Sequence, residues 1–166
     1  MKETPNKRLL HLQNGSDIRG VALATEGGPA VRLTPEAANT IAAAFGIWLE
    51  KRTGKPADAL CVGVGHDSRL TAQTLKQAII EGLSARGVHM VDCGLASSPA
   101  MFMGTIFKET KFDGSIMITA SHLPKNRNGM KFFVAEGGLD AEDITEILQT
   151  AATLTPAAGT APAEAS

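Results

Sequence analysis

The stretch T-A-S-H-L-P-K-N-R-N-G-M-K at residues 119–131 gathers the side chains best suited to chemistry in this 166-residue chain. It holds a hydroxyl (Ser121), an imidazole (His122) and cations at Lys125, Arg127 and Lys131. A serine hydroxyl is a poor nucleophile without a base to activate it, and no G-x-S-x-G elbow is present. Ser121 and His122 do not form a dyad by adjacency, because neighbours on an extended chain point apart. What the stretch suits is a phosphate. Phosphoserine carries nearly two negative charges and three acceptor oxygens, which call for Lys, Arg and backbone N–H groups around them. Phosphoryl transfer asks for positioning and charge stabilisation more than for covalent help. Taken singly, these are ordinary turn residues and solvated cations; the signal is their combination on one anchored loop.

The elements on either side must hold that loop in place. Residues 114–118 (G-S-I-M-I) form an uncharged apolar run that reads as a buried strand, and residues 130–134 read as a second one. Between them, Asn128-Gly129 predicts a tight turn with positive φ angles. Arg19, on a short N-terminal strand over residues 17–23, is positioned to join the loop cations. Asp67 and Arg69 have two readings: they reach the same site, or Asp67 or Ser68 caps the helix that follows. His11, His66 and His89 have no metal-ligand spacing and read as surface or packing residues. Asp140 and Asp143 read as the acidic start of a helix rather than as ligands.

In chain order, residues 1–13 read as a frayed lead-in, and Gly27-Gly28-Pro29 as a turn. Thr34-Pro35-Glu36 is a helix start, with Thr as N-cap and Pro at the first helical position. Ile41, Phe45, Trp48 and Leu49 give that helix one apolar face, and Gly54 followed by Pro56 ends it. Trp48 belongs to the core. Strands are expected over residues 59–64 and 88–91. Between them lies a helix marked by Leu75, Ile79 and Leu83, closed by Arg86-Gly87. Ser98-Pro99 opens a helix through Met101, Phe102, Ile106 and Phe107, and a last helix spans residues 140–148. Strands alternating with helices imply βαβ crossovers and a three-layer α/β/α sandwich with a mostly parallel, mixed sheet. Ligands on such sheets sit outside the strand carboxyl ends. The loops at 65–69 and 119–131 both leave such ends, so they share one rim. One domain over residues 1–149 is expected, with an Ala/Thr/Pro-rich linker or tail over 150–166.

Apolar residues make up 43% of the chain, enough for a single core, and the net charge of −1 argues against nucleic-acid and membrane-surface partners. Tyr is absent, so no stacking platform for bases is visible. Cys61 and Cys93 sit in or beside apolar runs without a C-x-x-C, as reduced, buried thiols of a cytosolic protein do. No apolar stretch approaches 18 residues and residues 1–13 have no h-region, so secretion and membrane spanning are not expected. A cytoplasmic setting is, with a plastid left open by the mildly basic start.

The 119–131 stretch resembles the serine loop of the α-D-phosphohexomutases, the phosphoglucomutase and phosphomannomutase superfamily. That pattern is T-A-S-H-N-P, three variable residues, then N-G-x-K, and only Leu123 departs from it. N-G-S-D-I-R-G at 14–20 resembles the N-terminal I-R-G signature, and G-H-D-S-R at 65–69 resembles a G-x-D-x-R signature. The resemblance covers the first of four domains. It implies that Ser121 is a phosphoserine exchanging its phosphoryl group with hexose phosphates through a hexose bisphosphate. Lys131, with Arg19 nearby, would move the proton or stabilise charge on the reacting oxygen, and His122 would orient the loop or help the proton move. It also implies Mg2+, bound through the Ser121 phosphate and completed by a D-x-D-x-D-R loop that this sequence lacks. The sugar-selecting G-E-x-S loop and the last domain's phosphate-binding loop are absent too. The remaining mutase domains are therefore expected in cis or in trans, and the chain alone is not expected to turn over. The alternative is a stand-alone phosphate-binding or interaction module without turnover.

Overall fold

The computed structural model describes residues 5–120 and 122–156; Ser121 and the tail from 157 lie outside them. The strands are β1 (Gln13–Asn14), β2 (Asp17–Val21), β3 (Cys61–His66), β4 (His89–Leu95), β5 (Gly114–Ile118), β6 (Arg127–Val134) and β7 (Gly137–Gly138). The helices are α1 (Pro5–Leu10), α2 (Pro35–Thr53), α3 (Ala72–Ser84), α4 (Ser98–Met103) and α5 (Ala141–Ala151). The sheet runs β1-β2-β6-β5-β3-β4, with β7 on β6. β3 pairs in parallel with β4 and β5, and the other pairings are antiparallel. Following those pairings, five of the seven strands point one way and only β1 and β6 oppose them. The architecture is the mixed, mostly parallel sandwich that the sequence predicts.

Side-chain alternation sorts the two faces. Val62, Val64, Ile116, Ile118, Met130 and Phe132 face α2, α3 and α5 and build one core with Phe45, Trp48 and Ile147. Phe45 stacks on Trp48 and tilts against Phe132 at 4.8 Å between ring centroids. On the other face Gly63 and Gly65 leave space that Phe112 and Met101 fill; an added Cβ at Gly65 would come within 2.6 Å of the Met101 sulfur. Ser115 Oγ ties that layer down by donating to the Met101 carbonyl at 2.8 Å. The short α4 covers the β3–β5–β6 part of this face, and among the described residues no helix lies over β2 and the start of β6 there.

Local chemistry accounts for the helix ends. Thr34 Oγ1 accepts from Ala37 N–H, Pro35 is the first residue of α2, and Gly54 closes it at φ 73°. Asp140 and Asp143 form a reciprocal capping box on α5, as their structural reading requires.

Several elements differ from expectation. Residues 5–10 are helical and 13–14 form a strand, because α1 packs on α5 and β1 pairs β2, contacts invisible locally. β3 starts two residues late, since residues 57–59 make a 3-10 turn, and β4 extends through Cys93 to Leu95. The N-cap of α4 is Ser97, and the helix stops at Met103, short of the exposed Ile106 and Phe107. α5 continues to Ala151, which is buried. Cys61 and Cys93 are free but only half-buried, and burial, the largest cause, raises both thiols above the ordinary 9.0. No helix among the described residues is long and apolar enough to cross a membrane.

Candidate active site

Three segments far apart in sequence meet at the open part of the sheet. β2 pairs with β6 in the register Ile18↔Met130, Arg19↔Gly129, Gly20↔Asn128 and Val21↔Arg127. Alternation then places Arg19, Asp17, Lys131 and Arg127 on the one face, opposite the buried Ile18 and Met130. Arg19 Nη2 lies 3.3 Å and Lys131 Nζ 3.9 Å from the same oxygen, Asp17 Oδ2. All three side chains are about one-quarter exposed, so water and ligands reach them. Arg19 Nε is buried with no hydrogen-bond partner among the described residues, a donor left over for an acceptor from elsewhere.

Asn128-Gly129 is not the turn that its dipeptide suggests. Both residues lie inside β6, and Gly129 has no positive φ. The glycine is there for space: an added Cβ would collide with the Ile18 carbonyl oxygen, come within 2.9 Å of the Thr119 oxygen and press on Arg19 Cγ at 3.1 Å. Asn128 is fully buried; its Nδ2 donates to Thr71 Oγ1 at 2.8 Å, and its Oδ1 accepts from Gly129 N–H.

The third segment fixes the loop. Asp67 Oδ2 accepts from Thr119 Oγ1 at 2.7 Å, and Oδ1 accepts from Arg69 N–H at 3.1 Å. Arg69 Nη1 donates to the carbonyls of Pro124 (2.8 Å) and Arg127 (3.0 Å), and Nη2 to that of Leu123 (2.8 Å). The 65–69 and 119–131 loops therefore share one rim, as expected. The capping alternative is wrong: the N-cap of α3 is Thr71, and neither Asp67 nor Ser68 caps it. His66 is buried, and its Nδ1 donates to the Asp67 carbonyl at 2.8 Å, a packing role. His11 and His89 are exposed.

Ser121 lies outside the described residues, but its neighbours are fixed. Thr119 N–H donates to the Gly129 carbonyl, Ala120 is buried, and Leu123 N–H donates to the Ala120 carbonyl at 3.0 Å. Leu123 is held through its backbone on both sides, which leucine does as well as asparagine. His122 and Lys125 are exposed on the turn. The structure brings Lys131 and Arg19 together on Asp17, while the exposed His122 makes no hydrogen bond to a described residue. Asp17 is the site residue that sequence reading missed. Its signal was spacing: two residues before Arg19 on a strand, it must share that side chain's face.

Residues 11–157 match the phosphoglucomutase/phosphomannomutase α/β/α domain I family model. This chain belongs to that family. It is 36% identical to a phosphoglucosamine mutase of Pediococcus pentosaceus over 74% of this chain and 25% of that protein. It is 40% identical to a phosphoglucomutase/phosphomannomutase of Thermococcus kodakarensis over 66% of this chain and 23% of that one. A solved family protein from Burkholderia thailandensis superposes with a TM-score of 0.70 at 25% identity, over 91% of this chain and 30% of that one. The chain thus spans about a quarter of the length of these curated relatives.

Magnesium, which the family resemblance implies, does not fit the described residues alone. No group of three or more His, Cys, Asp or Glu side chains among them could hold a metal ion. Asp17 lies between the Arg19 and Lys131 cations, and two neighbouring cations are poor company for a third.

Proposed function

We propose that this chain is the serine-bearing domain of a phosphohexomutase that interconverts hexose 1-phosphates and hexose 6-phosphates. The observation that carries the reading is the β2–β6 register, which sets Arg19 and Lys131 beside one another where the serine loop packs. In the first transfer the Ser121 Oγ–P bond breaks as a new O–P bond forms to a sugar hydroxyl, which loses its proton while Ser121 Oγ gains one; in the second, at the other end of the sugar, these changes run in reverse. The bisphosphate so formed returns its other phosphoryl group to Ser121 Oγ. Lys131 is the residue to take that proton, or to stabilise the charge developing on the reacting oxygen. Arg19 offers a forked donor to phosphoryl oxygens, and Asp17 holds both cations in place. His122 orients the loop or relays a proton.

If the Ser121 phosphate carries a Mg2+ ion, its other ligands come from outside this chain. The residues beyond α5, which runs to the buried Ala151, serve as the linker to the remaining mutase domains, which supply sugar selection, so the isolated chain does not turn over.

Intact-mass analysis and peptide mapping after treatment with glucose 1,6-bisphosphate test this reading, in the isolated chain and in a full-length mutase containing it. Phosphate should appear on Ser121. Phosphate on Ser98 instead, or none on either protein, removes the catalytic assignment. Ser115 is fully buried and cannot compete in the folded protein.

A further inference from the structure

Beside Arg19, the same sheet face opens into a cleft of about 420 Å³. Its lining runs from residues 11–14 across Gly20 and Val21 of β2 to Arg32 and Arg127, with no carboxylate among the lining residues. Arg19 is already taken up by Asp17 at 3.3 Å, whereas neither Arg32 nor Arg127 forms an ion pair among the described residues. Both of these arginines are exposed. In a chain of net charge −1, they make a local excess of positive charge.

Their exposure decides what kind of ligand suits them. A small anion between two exposed guanidinium groups keeps much of its water, and such pairs are screened by salt and contribute little. A polypeptide laid over the face removes that water. Arg–carboxylate pairs then strengthen, and their forked geometry fixes the register of the two surfaces. Polar, arginine-bearing surfaces of this kind are what interfaces between the domains of one protein use. The backbone beneath is anchored for the purpose: Arg32 N–H donates to the Val21 carbonyl at 2.8 Å, and the Arg127 carbonyl accepts from Arg69 at 3.0 Å.

The place of the cleft in the fold points to the occupant. The last helix, α5, packs against β1 and β2, and Gln13 in the cleft lining donates to the Ala141 carbonyl at 2.8 Å. The chain therefore leaves its last helix beside the sheet edge that carries the cleft. It spans about a quarter of the length of its curated relatives, so most of a mutase of that length lies outside this domain.

We infer that Arg32 and Arg127 form an interdomain docking site, which pairs with Asp or Glu side chains of the remaining mutase domains. The identity of that partner rests on the mutase reading above. Arg19 is not part of the contact; it stays on Asp17, facing the serine loop. Seated there, the partner domain covers β2 and the start of β6 and shields the neighbouring Arg19 and Lys131 from water.

Carbodiimide cross-linking in a full-length mutase containing this domain tests the contact, because the reagent joins a lysine amine only to a carboxylate that touches it. Arg32→Lys and Arg127→Lys keep the charge and supply the amine. Peptide mapping should find at least one of the two introduced amines coupled to an Asp or Glu outside residues 1–166. The native Lys55–Asp113 pair, at 2.7 Å, serves as the internal control. Coupling only to acids within residues 1–166, coupling to a second copy of the protein, or no coupling while Lys55–Asp113 reacts overturns the inference. Replacing both arginines by Gln should raise KM about fivefold with kcat nearly unchanged, since docking serves ground state and transition state alike. The melting temperature of the isolated chain should not move, as both side chains are exposed. An unchanged KM also overturns the inference. Labelling of Ser121 by glucose 1,6-bisphosphate reads the mutase step separately. A labelled serine without the cross-link sinks the docking site alone, and the cross-link without a label sinks the mutase step alone.

Discussion

Replacing Arg69 should loosen the serine loop and lower the stability of the whole domain. Its guanidinium donates to three carbonyls of that loop, those of Leu123, Pro124 and Arg127, and its own side chain is only 13% exposed. A hydrogen bond from a charged donor contributes about 1.5–3 kcal/mol, and a neutral, solvent-compensated one about 0.5–1.5. The bond to Leu123 is partly buried, so the first range applies; the other two are exposed, where water replaces the donor. Arg69→Met, which keeps most of the aliphatic stem, should thus cost about 3 kcal/mol. Unfolding entropy for 166 residues is about 0.35 kcal/mol per kelvin, which makes the expected fall in Tm about 9 °C. Arg69→Lys should recover little of it, because one ammonium cannot reach three carbonyls in different directions. Hydrogen exchange locates the effect. The amides of Leu123 and Arg127, which donate to Ala120 and Pro124 carbonyls, should exchange faster than those of α2. An unchanged Tm together with unchanged exchange at Leu123 and Arg127 would refute the clamp.

Three further outcomes are expected. Gly129→Ala should destabilise the domain by about 1–3 kcal/mol in denaturant melts, because the new methyl meets backbone oxygens of Ile18 and Thr119 that cannot yield cheaply; a neutral result would mean that β2 and β6 are not so close. In a full-length mutase containing this domain, Lys131→Met should lower kcat roughly 100-fold, and Arg19→Lys should also slow the reaction despite keeping its charge; near-normal kcat in both would end their assignment. Burial alone would raise the Asp92 carboxyl, but the Lys76 hydrogen bond, the Gly94 N–H and the nearby Lys76 and His66 charges outweigh it and hold the carboxyl below its ordinary 3.8. A depressed carboxyl stabilises the fold above that value and ceases to do so as pH falls through the lower one. Lys76→Met should therefore melt below the parent at pH 7, with the gap closing in melts run progressively below pH 3.8.

What the sequence made legible follows from how local each cause is. α2 was readable because Thr34, Pro35 and Gly54 act on their own backbone neighbours. β3 and β5 were readable because both faces are covered, which leaves uninterrupted apolar runs. The start of β6 was not, because its Asn-Gly pair answers to partners elsewhere: Thr71 for the buried amide, Ile18 and Arg19 for the missing side chain. α1 was hidden for the same reason, since its packing partner α5 lies over a hundred residues away. At the site, Arg19 and Lys131 stood out as cations near a serine. Asp17 looked like any solvated acid until strand register placed it between them.

That register also explains why the I-R-G and N-G-x-K segments occur in one chain at all. Arg19 stands opposite Gly129, and Gly20 opposite Asn128, so each segment supplies what the other lacks. Gly129 clears the space into which the Arg19 stem runs, and Gly20 clears space on the opposite face, where an added Cβ would come within 2.6 Å of Leu12. The third segment fastens the pair to the parallel half of the sheet: Thr71 holds Asn128, Asp67 holds Thr119, and Arg69 holds the loop between them. A larger residue at Gly129 must therefore act on two properties at once. It would push β2 from β6, which stability reports, and it would turn Arg19 away from Asp17, which phosphate binding reports. Because one atom causes both, the two losses should appear together in Gly129→Ala. Arg19→Lys, with Gly129 intact, should weaken binding while leaving the melt nearly unchanged. If Gly129→Ala lost stability yet bound phosphate as the parent does, the strand pairing and the placement of Arg19 would have to be separate features of this fold.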